Sequence, residues 1–177
     1  NIPLFVDGAR LGYGLMSDEC DFDLPWLARR CDVFYIGGTK IGALCGEAVV
    51  FTNNNVPKHF FSIVKQHGAL LAKSRLVGVQ FDALFTDNLY FNISRHAIDM
   101  AMCMRKIFSN AGFTLKDSPT NQQFVVLTNK QMERLAQYVA FETWEPIDEI
   151  NTLCRFVTNW ATKESDLETL KNAISSI

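Results

Sequence analysis

The first half of the chain alternates short apolar runs with amphipathic stretches. The runs PLFV and DVFYIG, residues 3–6 and 32–37, are rich in β-branched and aromatic residues, which is typical of parallel strands covered on both faces. Between them, DLPWLARRC places Leu24, Leu27 and Cys31 at helical spacing, with Asp23 and Pro25 as start signals. This order predicts a βαβ unit, and EAVVF at 47–51 predicts a third strand.

The pattern becomes helical in the middle of the chain and mixed towards its end. From Pro57 to Gly112 the spacing is mostly helical, with one long helix predicted from about residue 90 to Gly112. QQFVVLT at 122–128 and TLCRFVTNW at 152–160 predict strands, and each is followed by a predicted helix, the first with a capping box from Thr128 to Gln131. The apolar positions that these two helices are expected to bury are Met132, Leu135, Ala136, Val139, Leu167, Leu170 and Ile174.

These elements predict the α/β class and two domains. Residues 1–89 are expected to form part of a large domain with a mostly parallel sheet, and residues 90–177 a small α+β domain that includes the bridging helix. The chain has no initiator Met and opens inside an apparent strand, so we expect it to be the C-terminal part of a longer polypeptide and incomplete alone.

The composition of the chain argues against several classes of protein. The 177 residues are 48% hydrophobic, which is enough for one good core or two small ones. The net charge of −2, with basic residues scattered among acidic ones, argues against a nucleic-acid partner. No apolar stretch reaches the roughly 18 residues of a membrane span. Five cysteines without a CxxC spacing argue against a disulfide framework or a zinc site and favour buried thiols in a reducing cytoplasm.

Charged residues at two strand ends are the candidate chemistry. Asp7 follows the first strand and Lys40 follows the second, and ligands of parallel sheets bind beyond such carboxyl ends. Taken singly, Asp7 reads equally well as a turn or capping acid, and a lone Lys40 is more often a solvated loop lysine. Arg155 lies in a strand with apolar residues on both faces and needs an anion, either a ligand or an acid such as Glu145 or Asp148.

An acid and a lysine at neighbouring strand ends suit pyridoxal phosphate. The aldehyde of this cofactor condenses with a lysine amine, and its ring nitrogen pairs with a carboxylate that keeps it protonated. A nucleotide site is disfavoured, because GGTK at 37–40 lacks the order GxxxxGK[ST] and the chain contains no GxGxxG.

Three motifs give the chain a family resemblance. DGARL at 7–11, YIGGTKIGALCGEAVVF at 35–51 and RFVTNW at 155–160 resemble the threonine aldolase and β-eliminating lyase family of fold type I pyridoxal-phosphate enzymes. The resemblance implies a PLP-transferase-like large domain and a homodimer or homotetramer with the active site at the subunit boundary. It also implies these roles: Asp7 pairs with the ring nitrogen, Lys40 holds the cofactor covalently, Arg10 lies beside cofactor and substrate carboxylate, Thr39 contacts the cofactor, and Arg155 binds the substrate carboxylate.

The implied reaction is cleavage of threonine or allo-threonine to glycine and acetaldehyde. Alternatives are β-elimination or transamination of another amino acid, and a catalytically silent fragment or partner subunit. Leu44 stands where low-specificity threonine aldolases have a proline, which leaves the substrate open. Lys73 or Arg75 could reach a phosphate across a dimer interface, although a solvated helix face is the favoured interpretation. The three histidines, His59, His67 and His96, match no catalytic position of the family and are interpreted as surface or helix residues.

The small residues of DGAR have an expected role of their own. Gly8 and Ala9 stand between Asp7 and Arg10, and we expect their small size to let a planar ring approach the backbone.

Overall fold

The computed structural model describes residues 2–176, which fold as two compact units. The first unit comprises the chain up to Leu15 together with Cys20–Ile93, and the second comprises Met16–Glu19 and the chain from Ser94 onward. The domain bounds given above, 1–89 and 90–177, stay a prediction. Among the described residues, none of the helices has both the length and the apolar character that a membrane crossing requires.

The first unit is built around a three-stranded sheet. Its strands, in sheet order, are β1 (Phe5–Val6), β2 (Val33–Gly37) and β3 (Glu47–Phe51). Its helices are α1 (Leu11–Leu15), α2 (Leu24–Ala28), α3 (Phe60–Gln66) and α4 (Arg75–Phe85), followed by a 3₁₀ turn (Thr86–Asn88) and the start of α5 (Leu89–Asn110).

The predicted βαβ unit is confirmed. β1 and β2 are parallel, and Asp23 caps α2 by accepting a hydrogen bond from the Trp26 amide at 2.7 Å. β3 is antiparallel to β2, so the parallel arrangement does not extend to it. The physical reason is the connection, because residues 38–46 form a loop without the crossover helix that a parallel return needs.

The described residues cover the strands of the first unit on one face, and coverage of both faces stays a prediction for the whole protein. Phe34 and Ile36 of β2 are buried on one face. On the other face Phe5 and Val49 are more than half exposed.

β1 and β2 approach each other closely just beyond their paired residues. The Gly37 amide donates to the Gly8 carbonyl at 2.9 Å. A Cβ atom at Gly8 would lie 1.7 Å from the Tyr35 carbonyl oxygen, so no side chain fits there. The glycine of DGAR is therefore required by the neighbouring strand itself, whatever ligand the site holds.

Gly8→Ala should lower the free energy of unfolding by about 1–3 kcal/mol, because the added methyl group forces the two strands apart. Gly14→Ala is the matched control, since Gly14 lies in α1 and a Cβ atom there meets nothing within 4 Å. We expect this control to be neutral or stabilising. Urea unfolding of both variants measures the difference, and equal stabilities would contradict the close approach at Gly8.

The second unit is built around a four-stranded antiparallel sheet in the order β4-β5-β7-β6. These strands are β4 (Leu115–Lys116), β5 (Gln122–Thr128), β6 (Glu142–Pro146) and β7 (Asn151–Val157). The helices that end within this unit are α5, α6 (Asn129–Leu135) and α7 (Glu164–Ser175). β5, β7 and the capping box at Thr128 and Gln131 are confirmed, whereas β4 and β6 were not predicted.

The core of the second unit lies on one face of this sheet. Val125 and Leu127 of β5 are fully buried, as are Cys154 of β7 and Phe108 of α5. Ala136 is exposed, so its predicted burial is wrong, because α6 ends one residue earlier.

The five cysteines are free thiols. Cys31 and Cys154 are buried, and burial raises the pKa of both thiols. Cys45 and Cys103 are exposed, so the expectation of buried thiols is wrong for these two.

Candidate functional site

The candidate site lies at the carboxyl ends of β1 and β2. Asp7 directly follows β1, and Lys40 comes shortly after β2. Because the two strands are parallel neighbours, their ends meet at one edge of the sheet. The two side chains interact, since the positive charge of Lys40 helps to lower the pKa of Asp7. The structure therefore brings the predicted acid and the predicted amine together.

The carboxylate of Asp7 is held by one of its two oxygens. Oδ1 accepts a hydrogen bond from the Ala9 amide at 3.0 Å and another from the Tyr35 hydroxyl. The Tyr35 bond is the main cause of the lowered pKa of Asp7, and the Ala9 bond is the second. Among residues 2–176, no donor reaches Oδ2. Asp7 therefore stabilises the turn after β1 through the Ala9 amide and also keeps an exposed, ionised carboxylate.

The backbone around Lys40 is held from two sides. The hydroxyl of Tyr13, which is 1% exposed, donates to the carbonyl of Lys40. The carboxylate of Glu47 accepts from the Gly38 amide at 2.8 Å and from the Thr39 hydroxyl at 3.3 Å. No acceptor in the described part of the chain lies within hydrogen-bonding distance of the Lys40 amine. The backbone is therefore fixed while the amine stays available.

A buried tyrosine ties α1 to the end of β2. The Tyr90 hydroxyl accepts from the Gly12 amide at 3.1 Å and donates to the Gly37 carbonyl at 3.3 Å. Burial raises the pKa of Tyr90 far above its usual value, so the hydroxyl stays neutral and can donate. This link holds the segment after Asp7 against the segment before Lys40.

Sequence reasoning missed four residues of this site: Tyr13, Tyr35, Glu47 and Tyr90. Tyr35 gave no signal in the sequence, because the register that places it beside Asp7 is set by the pairing of β1 with β2. One of the four residues did carry a usable signal. Glu47 is a charged residue that opens an otherwise apolar strand.

Arg10 offers a partly buried guanidinium next to Asp7 in the chain. It lies in the turn before α1, and its backbone carbonyl accepts from the Gly14 amide at 3.1 Å. Its Nε atom is buried and has no hydrogen-bond partner within the described residues. A buried donor without a partner is costly, so this atom suits an anionic or carbonyl ligand.

The loop that follows Lys40 is closed by α4. Gly42 and Gly46 adopt φ values of 90° and 91°, which only glycine adopts readily. Gln80 of α4 accepts from the Leu44 amide at 2.6 Å. The Leu44 side chain itself is 94% exposed. The residue that departs from the family pattern therefore points away from the chain's own core.

An apolar groove of about 700 Å³ lies between this loop and α4. Lys73 and Arg75 line it, together with Leu44, Leu76 and Val79. Both basic residues are exposed, but only Arg75 begins the helix, whereas Lys73 lies in the turn before it, so the interpretation of a solvated helix face holds for Arg75 and is wrong for Lys73. Their contact with a phosphate stays a prediction.

Arg155 lies in the second unit on β7. Its Nη1 donates to the Gln122 side chain at 2.8 Å, its Nη2 pairs with Glu142, and its guanidinium lies 4.6 Å from the centre of the Trp144 ring. Its side chain is 15% exposed, and its Nε atom is buried with no partner among the described residues. The arginine is thus held firmly at both Nη atoms, and its buried Nε–H is unused by the described residues.

The acid that pairs with Arg155 is Glu142, and neither Glu145 nor Asp148. Strand register explains the choice, because Glu142 of β6 is directly opposite Arg155 of β7. Asp148 instead accepts hydrogen bonds from Asn151 and from the Ile150 amide, and these lower its pKa.

Comparison by sequence finds two curated relatives, and no family model matches the chain. The low specificity L-threonine aldolase of a Pseudomonas species (strain NCIMB 10558) is 27% identical over 99% of this chain and 51% of the relative. The low specificity L-threonine aldolase of Pseudomonas aeruginosa is 30% identical over 62% of this chain and 32% of the relative. The chain spans at most about half the length of the curated relatives that it matches.

Comparison with solved structures also finds a threonine aldolase, as the comparison by sequence does. The threonine aldolase of Leishmania major superposes with a TM-score of 0.95 and 35% identity, over 99% of this chain and 52% of that one. The serine palmitoyltransferase of Sphingomonas wittichii superposes with a TM-score of 0.69 at 15% identity, over 97% of this chain and 46% of that one, and supports the fold alone.

Proposed function

We propose that this chain is part of a lyase that cleaves threonine or allo-threonine to glycine and acetaldehyde. The chain is a homologue of the threonine aldolases and has the fold of type I pyridoxal-phosphate enzymes. One observation carries the proposal. Asp7 and Lys40 lie at the ends of adjacent parallel strands, with Oδ2 of the acid and the amine of the lysine both unengaged in the described chain.

The residues of the site fit pyridoxal phosphate. When bound, this cofactor accepts the electron pair that is left when a bond to the substrate's Cα breaks. The ionised Asp7 would hold a proton at the ring nitrogen through Oδ2, and the amine of Lys40 would hold the cofactor covalently. The unpartnered Nε of Arg10 would face the cofactor or the substrate carboxylate. The proposal includes a homo-oligomer, as the resemblance implies, and a cytoplasmic location, which the five cysteines without a CxxC spacing favour.

A coupled assay tests this function. The protein in its natural length is loaded with pyridoxal phosphate and given L-threonine, L-allo-threonine or L-serine, and acetaldehyde is followed through NADH consumption by alcohol dehydrogenase. We expect acetaldehyde and an equal amount of glycine from the two threonines. Pyruvate and ammonia from serine, without acetaldehyde from threonine, would favour β-elimination. Cofactor binding without any turnover would favour a silent subunit.

Arg155→Lys should raise KM for the amino acid roughly ten- to a hundredfold, which is the scale of one hydrogen bond to a charged group of about 1.5–3 kcal/mol. Lysine keeps the charge but lacks the planar fork that binds a carboxylate at two points. Cofactor affinity should barely change. Steady-state kinetics and a cofactor titration on the same variant measure both quantities.

Glu142→Gln is the matched control for Arg155, because it removes the ion pair and leaves the arginine in place. If Arg155 serves the substrate, this control keeps KM within a few-fold of wild type. A purely structural ion pair predicts a different result, in which both variants lower the melting temperature and neither changes KM.

A further inference from the structure

The hydrogen bonds of Asp7 are unevenly shared between its two oxygens. The Ala9 amide and the Tyr35 hydroxyl both donate to Oδ1, and no donor of the described residues reaches Oδ2. One donor comes from the turn after β1 and the other from β2, and together they fix the plane of the carboxylate, because each sets one direction from the same oxygen. The free oxygen is thereby aimed in one direction.

We propose that Tyr35 is a positioning residue that orients the Asp7 carboxylate so that Oδ2 is presented to the ring nitrogen of the cofactor. This inference rests on the proposed function and adds a residue to it. Tyr35 reaches Asp7 because parallel register places it one position beyond the pair of Val6 and Phe34. The Phe5 ring, centred 6.1 Å from that of Tyr35, flanks it on the same sheet.

The pKa shifts of Asp7 and Tyr35 agree with this hydrogen-bond geometry. The bond from Tyr35 is the largest cause of the lowered pKa of Asp7, and the same bond raises the pKa of Tyr35. Lys40 also lowers the pKa of Asp7, and Glu47 also raises that of Tyr35. Tyr35 therefore stays a neutral donor while Asp7 stays an ionised acceptor, which is the pairing that a protonated ring nitrogen needs.

Tyr35→Phe tests the proposal, because it removes one hydroxyl and keeps the ring. The first measurement uses cofactor-free protein in its natural length with ¹³C-labelled aspartate, and follows the titration of the Asp7 carboxyl carbon, assigned with Asp7→Asn. We expect the pKa of Asp7 to rise towards its ordinary value. Tyr138→Phe, at an exposed tyrosine of the second unit, is the control and should leave it unchanged.

The second measurement uses the loaded enzyme. We expect Tyr35→Phe to lower kcat about tenfold while KM changes little, since the hydroxyl donates to Asp7 and would act on the reaction only through that carboxylate. If the phenylalanine variant does not fold, fluorotyrosine at position 35 replaces it. This residue is a stronger donor and should move the pKa of Asp7 in the opposite direction.

Three outcomes overturn the proposal. An unchanged pKa of Asp7 would mean that the bond is absent. A raised pKa of Asp7 in Tyr35→Phe together with an unchanged kcat would mean that Tyr35 does not position Asp7. If Asp7→Asn is inactive in the same experiment, the proposed function would remain intact. Full activity of Asp7→Asn would remove the proposed function together with this inference, while the cofactor-free titration would still report the bond itself.

Discussion

Lys40→Ala is expected to abolish covalent retention of pyridoxal phosphate and to lower kcat by at least about a thousandfold. The physical reason is that alanine has no amine to condense with the aldehyde. The backbone should stay in place, because its contacts there come from the Lys40 carbonyl and from Gly38 and Thr39, and all three remain. Borohydride reduction of the loaded protein, followed by peptide mass spectrometry, measures the attachment directly.

Lys65→Ala is the matched control for Lys40. Lys65 is an exposed lysine in the last turn of α3 in the same unit, so its loss changes the net charge equally and should leave both readouts at wild-type values. A cofactor trapped on a peptide that lacks Lys40 would show that the assignment is wrong.

Asp7→Asn should lower kcat by about a hundredfold or more and weaken cofactor binding far less. Asparagine keeps the shape of the side chain and an Oδ1 that can accept from Ala9 and Tyr35. Its amide nitrogen replaces the free carboxylate oxygen, and an amide N–H cannot accept a hydrogen bond from a protonated ring nitrogen. Single-turnover kinetics and a cofactor titration separate the two effects.

Asp23→Asn is the control for this substitution, because asparagine caps a helix as well as aspartate does.

The stability of Asp7→Asn in acid gives a second measurement of the role of Asp7. The pKa of Asp7 is lowered in the folded protein, so its ionised form adds stability above the unfolded pKa, and this stability is lost as the pH falls through the folded pKa. Below about pH 4 the melting temperature of Asp7→Asn should therefore fall less steeply than that of the wild type. Equal kcat values for Asp7→Asn and the wild type would contradict the proposed role of Asp7.

The sequence shows most clearly the elements whose residues are close together along the chain. β3 and β5 begin and end where their apolar runs do, and the capping box at Thr128 and the cap at Asp23 form as predicted. Local signals suffice here because period, capping and turn chemistry involve neighbours only a few residues apart. The order of the DGAR and GGTK segments likewise brings Asp7 and Lys40 to one sheet edge through a single βαβ unit.

The elements that were missed depend on a partner strand. ETWEP at 142–146 has neither an unbroken apolar run nor a clean alternation, and it is a strand because it pairs with β7. The same pairing brings Glu142 to Arg155, 13 residues apart in the chain, where the sequence suggested Glu145 or Asp148. A one-residue change of register would reverse which face each side chain occupies, so such contacts cannot be found from spacing alone.

The sequence by itself determined that an acid and a lysine each follow a strand, which is the pattern on which the proposed chemistry rests. The tertiary structure alone decided how that acid is held. Gly8 is a glycine because the Tyr35 carbonyl lies where its Cβ atom would be, and the Tyr35 hydroxyl reaches Asp7 from 28 positions away in the chain. Both facts follow from the close packing of two backbones, and the distance between atoms of separate strands is set only when the sheet has formed.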